Sequence, residues 1–262
     1  MDRRAIVNLV VGKIKALPRA GFMRLRGFAD RHARRVVLVI GDSHTRVFEH
    51  WLFLVVFPRT RFEIAYVKGG SAIGILNYNS QSGARASFDA ALSREPWDHV
   101  LVCLGEVDAA YTLWRLAEYH AIPVDGLFER AVTSYMKFLD RIRARFSMAV
   151  IAAPYPTVDH IHGSVDEVLA MRAHVHATQR QRTDLTLEFN RRIGEWCTEH
   201  GIAQLDTAAE ALGPDRFVKE SWKVRGRLDH HYVRGRFARW MVRTLRPVLA
   251  ELSRKKDGPT VG

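Results

Sequence analysis

The sequence predicts an α/β protein built on one parallel sheet of about five strands, and three observations carry that prediction. The run Val36-Val37-Leu38-Val39-Ile40 is apolar without interruption, the pattern of a strand buried on both faces. Four more strand-like runs follow it. Between most of them lie segments with apolar residues at three- and four-residue steps, so strand and helix alternate as in βαβ units with right-handed crossovers.

The strands are expected at Val36–Ile40, Phe62–Val67, His99–Leu104, Met148–Ala153 and Ala203–Leu205. Phe128, Val132, Tyr135, Leu139, Ile142 and Phe146 form one apolar helix face. Phe189, Ile193, Trp196 and Cys197 form another, with Thr183 or Asp184 as its cap and Gly201 as its stop. A last helix, from about Val233 to Leu252, carries Phe237, Met241, Leu245, Val248 and Leu252, and Pro247 is expected to kink it. The 262 residues fit one α/β domain with appendages. The body is expected at 36–253, between an N-terminal arm, 1–35, and a polar tail, 254–262.

The formal net charge of +12 is unevenly spread. Residues 1–35 hold ten Lys/Arg against two Asp, a net +8, and the other 227 hold 30 basic against 26 acidic residues, a net +4. A body so mildly basic argues against nucleic acid as a partner. In the arm, Ile6, Val7, Leu9, Val10, Ile14, Leu17, Phe22, Met23, Leu25 and Phe28 interleave with the cations. This is the pattern of a basic amphipathic segment, able to rest on an anionic membrane surface or to pack on the domain. Its longest apolar stretch is too short to span a bilayer and lacks a small-residue cleavage site. The expected location is therefore the cytoplasm or the periphery of the inner membrane. Two cysteines, Cys103 and Cys197, without C-x-x-C spacing, argue against a disulfide framework or a zinc site.

Chemistry can gather at four points. Gly41-Asp42-Ser43-His44 follows the first strand, where a tight turn and cap residues open a new element. Lys68-Gly69-Gly70-Ser71 follows the second, with glycines that let backbone N–H groups approach a ligand. Gly105-Glu106-Val107-Asp108 follows the third, and Asp229-His230-His231-Tyr232 precedes the last helix. A serine becomes a nucleophile when a base takes its proton, a carboxylate orients that base, and nearby N–H groups hold the oxyanion. Ser43, His230 or His231, Asp229 and the glycines at 69–70 supply every part. The two histidines beside Asp229 could also bind a metal, but no third ligand stands at a clear spacing, so no metal and no cofactor are expected.

With those residues in place, the chain resembles the SGNH (GDSL-type) hydrolases over residues 36–252. Gly41-Asp42-Ser43 matches the first block, whose serine is the nucleophile. Gly69 falls at the oxyanion glycine of the second block, with Gly70 as the alternative. Gly105-Glu106-Val107-Asp108 corresponds to the third block, Gly-x-Asn-Asp. Asp229 and His231 correspond to the last, Asp-x-x-His. The resemblance implies a flavodoxin-like three-layer α/β/α sandwich and a Ser43–His231–Asp229 acyl-enzyme mechanism. The Gly-Glu-(Ile/Val)-Asp version is similar to a subgroup associated with bacterial glycans, which implies O-acyl, foremost O-acetyl, ester hydrolysis or transfer on a glycan. A lipid esterase at a membrane surface and a catalytically degenerate glycan- or partner-binding module are the alternatives.

Two departures stand out. Val107 occupies the position of the oxyanion asparagine, a donor whose loss costs about 10²–10³ in rate. The aspartate lies two residues before His231 rather than three, which leaves a Ser–His dyad with a backbone carbonyl open. Asp159-His160-Ile161-His162 has the full Asp-x-x-His spacing but comes too early in the chain for the family's order. Glu106 and Asp108 could grip sugar hydroxyls, help position His231, or cap turns. Asp42, His44 and His230 complete the expected surroundings of the serine, and Arg46 is expected to pair with a nearby acid.

Overall fold

A computed structural model describes residues 19–94, 96–158, 175–225 and 229–257 of the chain. Five strands, β1 (Arg35–Gly41), β2 (Thr60–Tyr66), β3 (His99–Cys103), β4 (Met148–Ile151) and β5 (Ala203–Leu205), form one sheet in the order β2-β1-β3-β4-β5. Every neighbouring pair is parallel. The helices are α1 (Arg19–Arg31), α2 (Trp51–Val56), α3 (Ala84–Leu92), α4 (Leu113–His120), α5 (Val124–Arg143), α6 (Gln179–Glu199), α7 (Ala208–Ala211) and α8 (Arg234–Asp257).

The alternating side chains of the strands explain the two flanking layers. Leu38, Ile40, Val100, Val102 and Val150 face one way, against Phe88 of α3, Phe128 and Tyr135 of α5, and Phe189 and Ile193 of α6. Val37, Val39, Leu101, Ala149 and Ile151 face the other way, against Phe53 of α2 and Phe237, Met241 and Leu245 of α8. With apolar helices on both faces, the central strands need continuous apolar sequence, which is what Val36–Ile40 displays. The result is the expected flavodoxin-like three-layer α/β/α sandwich.

Three local expectations are corrected. Helix α6 begins at Gln179, a full turn before Thr183, because Thr178 forms a complete capping box with Gln181. Helix α8 continues to Asp257, through Pro247 and past the expected start of the polar tail at 254. The element after Ser43 is a 3₁₀ segment, Ser43–Glu49, and the α-helix starts only after His50, whose extended backbone and ring nitrogen cap Leu52. Asp159–His162 lies outside the described residues.

Sheet order reverses between β1 and β3, the point at which open α/β sheets place ligands beyond the carboxyl ends of their strands. Gly41 and Cys103 are register partners there. The contact is close enough that a Cβ on Gly41 would stand 2.2 Å from the Cys103 carbonyl oxygen. Gly105, just beyond β3, has φ +115°, and a Cβ on it would lie 2.3 Å from the buried Phe189 ring. Gly105→Ala is therefore expected to combine backbone strain with overpacking, a loss of about 2–5 kcal/mol. A lower urea midpoint followed by tryptophan fluorescence checks it; a wild-type midpoint would contradict the packing at that turn.

Candidate active site

Beyond β1 the chain turns through Asp42, whose side chain accepts the His44 N–H at 2.9 Å and caps the 3₁₀ segment. That turn presents Ser43, the first residue of the segment, with its N–H outside the segment's own hydrogen bonds. At the other end of the chain, residues 229–233 lead into α8. The two stretches meet across 188 residues of sequence: Ser43 Oγ lies 2.8 Å from His231 Nε2. On the far side of the ring, His231 Nδ1 lies 2.8 Å from Asp229 Oδ1, and the same oxygen accepts the His231 backbone N–H at 2.9 Å. The carboxylate can only accept, so Nδ1 carries the proton and Nε2 is left to accept from the serine hydroxyl. A shortened Asp-x-His spacing thus still brings a carboxylate onto the ring, by an Asx-type turn that uses the backbone and the side chain of one residue.

Asp229 and Tyr232 are tied to the β4 side of the sheet. Thr157 Oγ1 donates to the Asp229 carbonyl at 2.8 Å, and the Tyr155 N–H donates to Tyr232 Oη at 2.7 Å. Neither Tyr155 nor Thr157 carried a motif signal, since each acts through one long-range hydrogen bond rather than through a spacing.

Asp42 and His44 repeat the Asp229–His231 arrangement. Asp42 Oδ1 accepts both the His44 N–H and Nδ1, the latter at 3.0 Å. His44 Nε2 faces the carbonyl oxygen of His230 at 3.4 Å, so both ring nitrogens stand opposite acceptors, the bonding pattern of an imidazolium. Its ring centroid is 4.7 Å from that of His231 and 5.8 Å from that of His230. Glu106 joins Asp42 and His44 in a buried cluster. Two sets, Asp229–His230–His231 and Asp42–His44–Glu106, have ligand atoms close enough to hold a metal ion. The nitrogens nearest the carboxylates already donate to Asp229 and Asp42, so ligation through them would break both Asp–His bonds.

Behind the loop that follows β2, the fully buried Asp108 accepts the Ala72 N–H at 2.6 Å and the Ile73 N–H at 2.9 Å. Asp108 therefore caps a turn and is out of reach of a sugar in the cleft, and Glu106, also buried, is equally withdrawn. The preceding turn, directly after β2, carries Gly69 with φ +72°. Gly70 N–H is committed to the Val67 carbonyl at 3.0 Å, whereas Gly69 N–H has no partner among the described residues. Of the two glycines, Gly69 is the one with a donor to offer. Val107 is buried and offers none.

The serine opens onto a cleft of about 310 Å³, lined among others by Ser43, Asp229, His231, Arg46, Arg234 and Phe237. Arg46 and Arg234 both donate to Glu49 Oε2, at 3.2 and 3.1 Å, which gives the expected Arg46–acid pair and fixes the lip of the cleft. A larger cleft of about 810 Å³, between α6 and β5, contains none of these residues.

Burial raises the Asp108 carboxyl to about 7, against the two backbone N–H groups that favour its ionised form. The folded value exceeds the unfolded one, so the protonated form binds more tightly to the fold and its contribution falls as pH rises through 7. Between pH 5 and pH 8 this group alone is expected to remove about 2–3 kcal/mol of stability. Asp108→Asn should flatten that part of the profile. Urea midpoints at both pH values for the two proteins test it; equal slopes would contradict the assignment.

Solved structures share this architecture at low identity. A carbohydrate acetylesterase family member from Sinorhizobium meliloti gives a TM-score of 0.54 at 14% identity, over 83% of this chain and 98% of that one. A candidate lipolytic protein of the G-D-S-L family from Desulfitobacterium hafniense DCB-2 gives 0.50 at 14%, over 80% and 99%. A candidate acylhydrolase from Bacteroides fragilis NCTC 9343 gives 0.50 at 11%, over 90% and 99%. No protein-family model and no curated protein sequence matches the chain. The chain has the fold of the GDSL-type (SGNH) hydrolases, the fold implied by the Gly41-Asp42-Ser43 and Asp229–His231 resemblance.

Proposed function

We propose that the chain is a serine esterase acting on O-acyl esters, with acyl transfer as the variant of the same chemistry. The observation that carries the reading is the continuous relay Asp229–His231–Ser43, with both links at 2.8 Å, opening onto a cleft. Ser43 Oγ attacks the acyl carbonyl while His231 Nε2 takes its proton, and Asp229 holds the resulting imidazolium. The N–H groups of Ser43 and Gly69 bind the oxyanion. His231 then protonates the leaving alcohol, and water or a sugar hydroxyl, deprotonated by the same nitrogen, releases the acyl group. None of these steps needs a metal or an organic cofactor.

The glycan O-acetyl group is our choice of substrate. It rests on the likeness of Gly105-Glu106-Val107-Asp108 to the glycan-associated subgroup and accords with the acetylesterase among the structural neighbours. Val107 favours the second reading, a binding module that has lost an oxyanion donor, but a degenerate site has no use for an oriented histidine.

Labelling with a fluorophosphonate and turnover of 4-nitrophenyl acetate separate the two. Ser43→Ala and His231→Ala are expected to abolish labelling and to lower kcat by at least about 10³, and Asp229→Asn by about 10²–10⁴. His230→Ala should stay within a few-fold of wild type. A folded wild type that neither labels nor turns over would make the binding module the leading reading instead. His44→Phe keeps the triad but removes the tie to the His230 carbonyl. It is expected to lower kcat by about 10–100-fold with KM nearly unchanged, since it disturbs the placing of the base rather than substrate binding. Unaltered kcat would show that the base loop holds its position without His44.

A further inference from the structure

Helix α1 packs its inner side on the domain, where Arg26 and Asp30 line a small cavity with Phe48, Glu49, Phe53 and Phe62. Its outer side carries Met23, Arg24, Phe28 and Arg31, all exposed. Met23 and Phe28 are 57% and 56% exposed. At about 100° per residue these four side chains fall within an arc of about 140°. The helix's one acid, Asp30, is paired with Arg26, and among the described residues neither Arg24 nor Arg31 forms an ion pair. Two cations with no acid opposite, interleaved with a phenylalanine and a methionine that reach into solvent, make a face with two affinities at once. Nucleic acid would use the cations and leave the apolar pair wet. The interface of an anionic bilayer takes both: arginines at the headgroups, Met23 and Phe28 at the acyl boundary.

We propose that this face of α1 docks the protein on an anionic lipid surface. The proposal stands apart from the esterase reading and does not need it. Charge complementarity extends beyond the helix, because residues 1–18 add Arg3, Arg4, Lys13 and Lys15 against a single Asp2. Position adds a consequence. Glu49, beside the inner side of α1, is the acid that holds Arg46 and Arg234 at the lip of the Ser43 cleft. Helix α1 therefore borders the 3₁₀ segment whose Glu49 anchors the lip of the cleft.

Vesicle co-sedimentation of the full chain tests it, with phosphatidylcholine alone and with phosphatidylcholine containing a quarter phosphatidylglycerol. The wild type is expected to bind the mixed vesicles and to be released as salt rises from 0.05 to 0.5 M. Arg24→Glu with Arg31→Glu should weaken partitioning by at least about tenfold. Met23→Ser with Phe28→Ser should weaken it at low salt as well, which a purely electrostatic contact would not show. Thermal unfolding of both double variants checks that these exposed changes leave the fold intact. Equal binding to neutral vesicles, or wild-type partitioning by either folded variant, overturns the proposal. So does binding to duplex DNA in the absence of vesicle binding, which would assign the cations to nucleic acid.

Discussion

One carboxylate oxygen, Asp229 Oδ1, accepts from both the backbone N–H and the ring Nδ1 of His231, and the Ser43–His231 geometry depends on that pair of hydrogen bonds. Either contact alone would leave a freedom: the backbone bond fixes the turn but not the ring, and the ring bond fixes the tautomer but not the loop. Together they aim Nε2 at Ser43. The same construction at Asp42 and His44 builds the opposite wall. His44 then reaches across to the His230 carbonyl and links the two turns. The site is thus two Asp-x-His turns facing each other, one bearing Ser43 between its ends and the other bearing His231 at its close.

Such an arrangement is costly to bury, and the burial pattern shows how the cost is contained. Asp42 and Glu106 are both buried and would repel each other as neighbouring carboxylates. The His44 ring lies between the acids and the His230 carbonyl, with one nitrogen opposite Asp42 and the other opposite that carbonyl. The Asp229–His231 pair lies nearer solvent than the buried Asp42–His44 pair.

Much of this was readable from the chain, for identifiable reasons. The three central strands could be read because strands covered on both faces demand apolar runs, and a run such as Val36–Ile40 has no polar reading. Ser43 and His231 could be read because each sits beside a strand end or a helix start with cap residues around it. Boundaries were harder, because caps decide them: Thr178 with Gln181 outcompetes Thr183 for the start of α6. The partner of His231 was ambiguous because spacing alone does not say whether an aspartate two residues earlier can turn back onto the ring. An Asx-type turn does so, and nothing in the one-dimensional pattern announces it. Thr157 and Tyr155 were invisible for a further reason, since their hydrogen bonds span 72 and 77 residues.

Val107 makes the last point about the oxyanion hole. A side-chain donor at that position would act directly on the substrate, and valine removes it. Its neighbour Asp108 contributes instead through the backbone, gathering the Ala72 and Ile73 N–H groups from behind. That braces the turn opening at Ala72, which follows the Lys68–Gly69 turn where Gly69 takes its left-handed conformation. Gly70 is tied to Val67 within the same turn, so the N–H left over is that of Gly69. In the proposed mechanism the third segment would serve the oxyanion at one remove: the buried Asp108 side chain braces the loop after β2, and that loop carries the proposed Gly69 donor. A preorganised backbone N–H is held by the fold and has little reorganisation left to do when charge develops on the acyl oxygen. In the proposed mechanism the missing asparagine therefore removes one donor and leaves the Ser43 and Gly69 N–H groups as the proposed two.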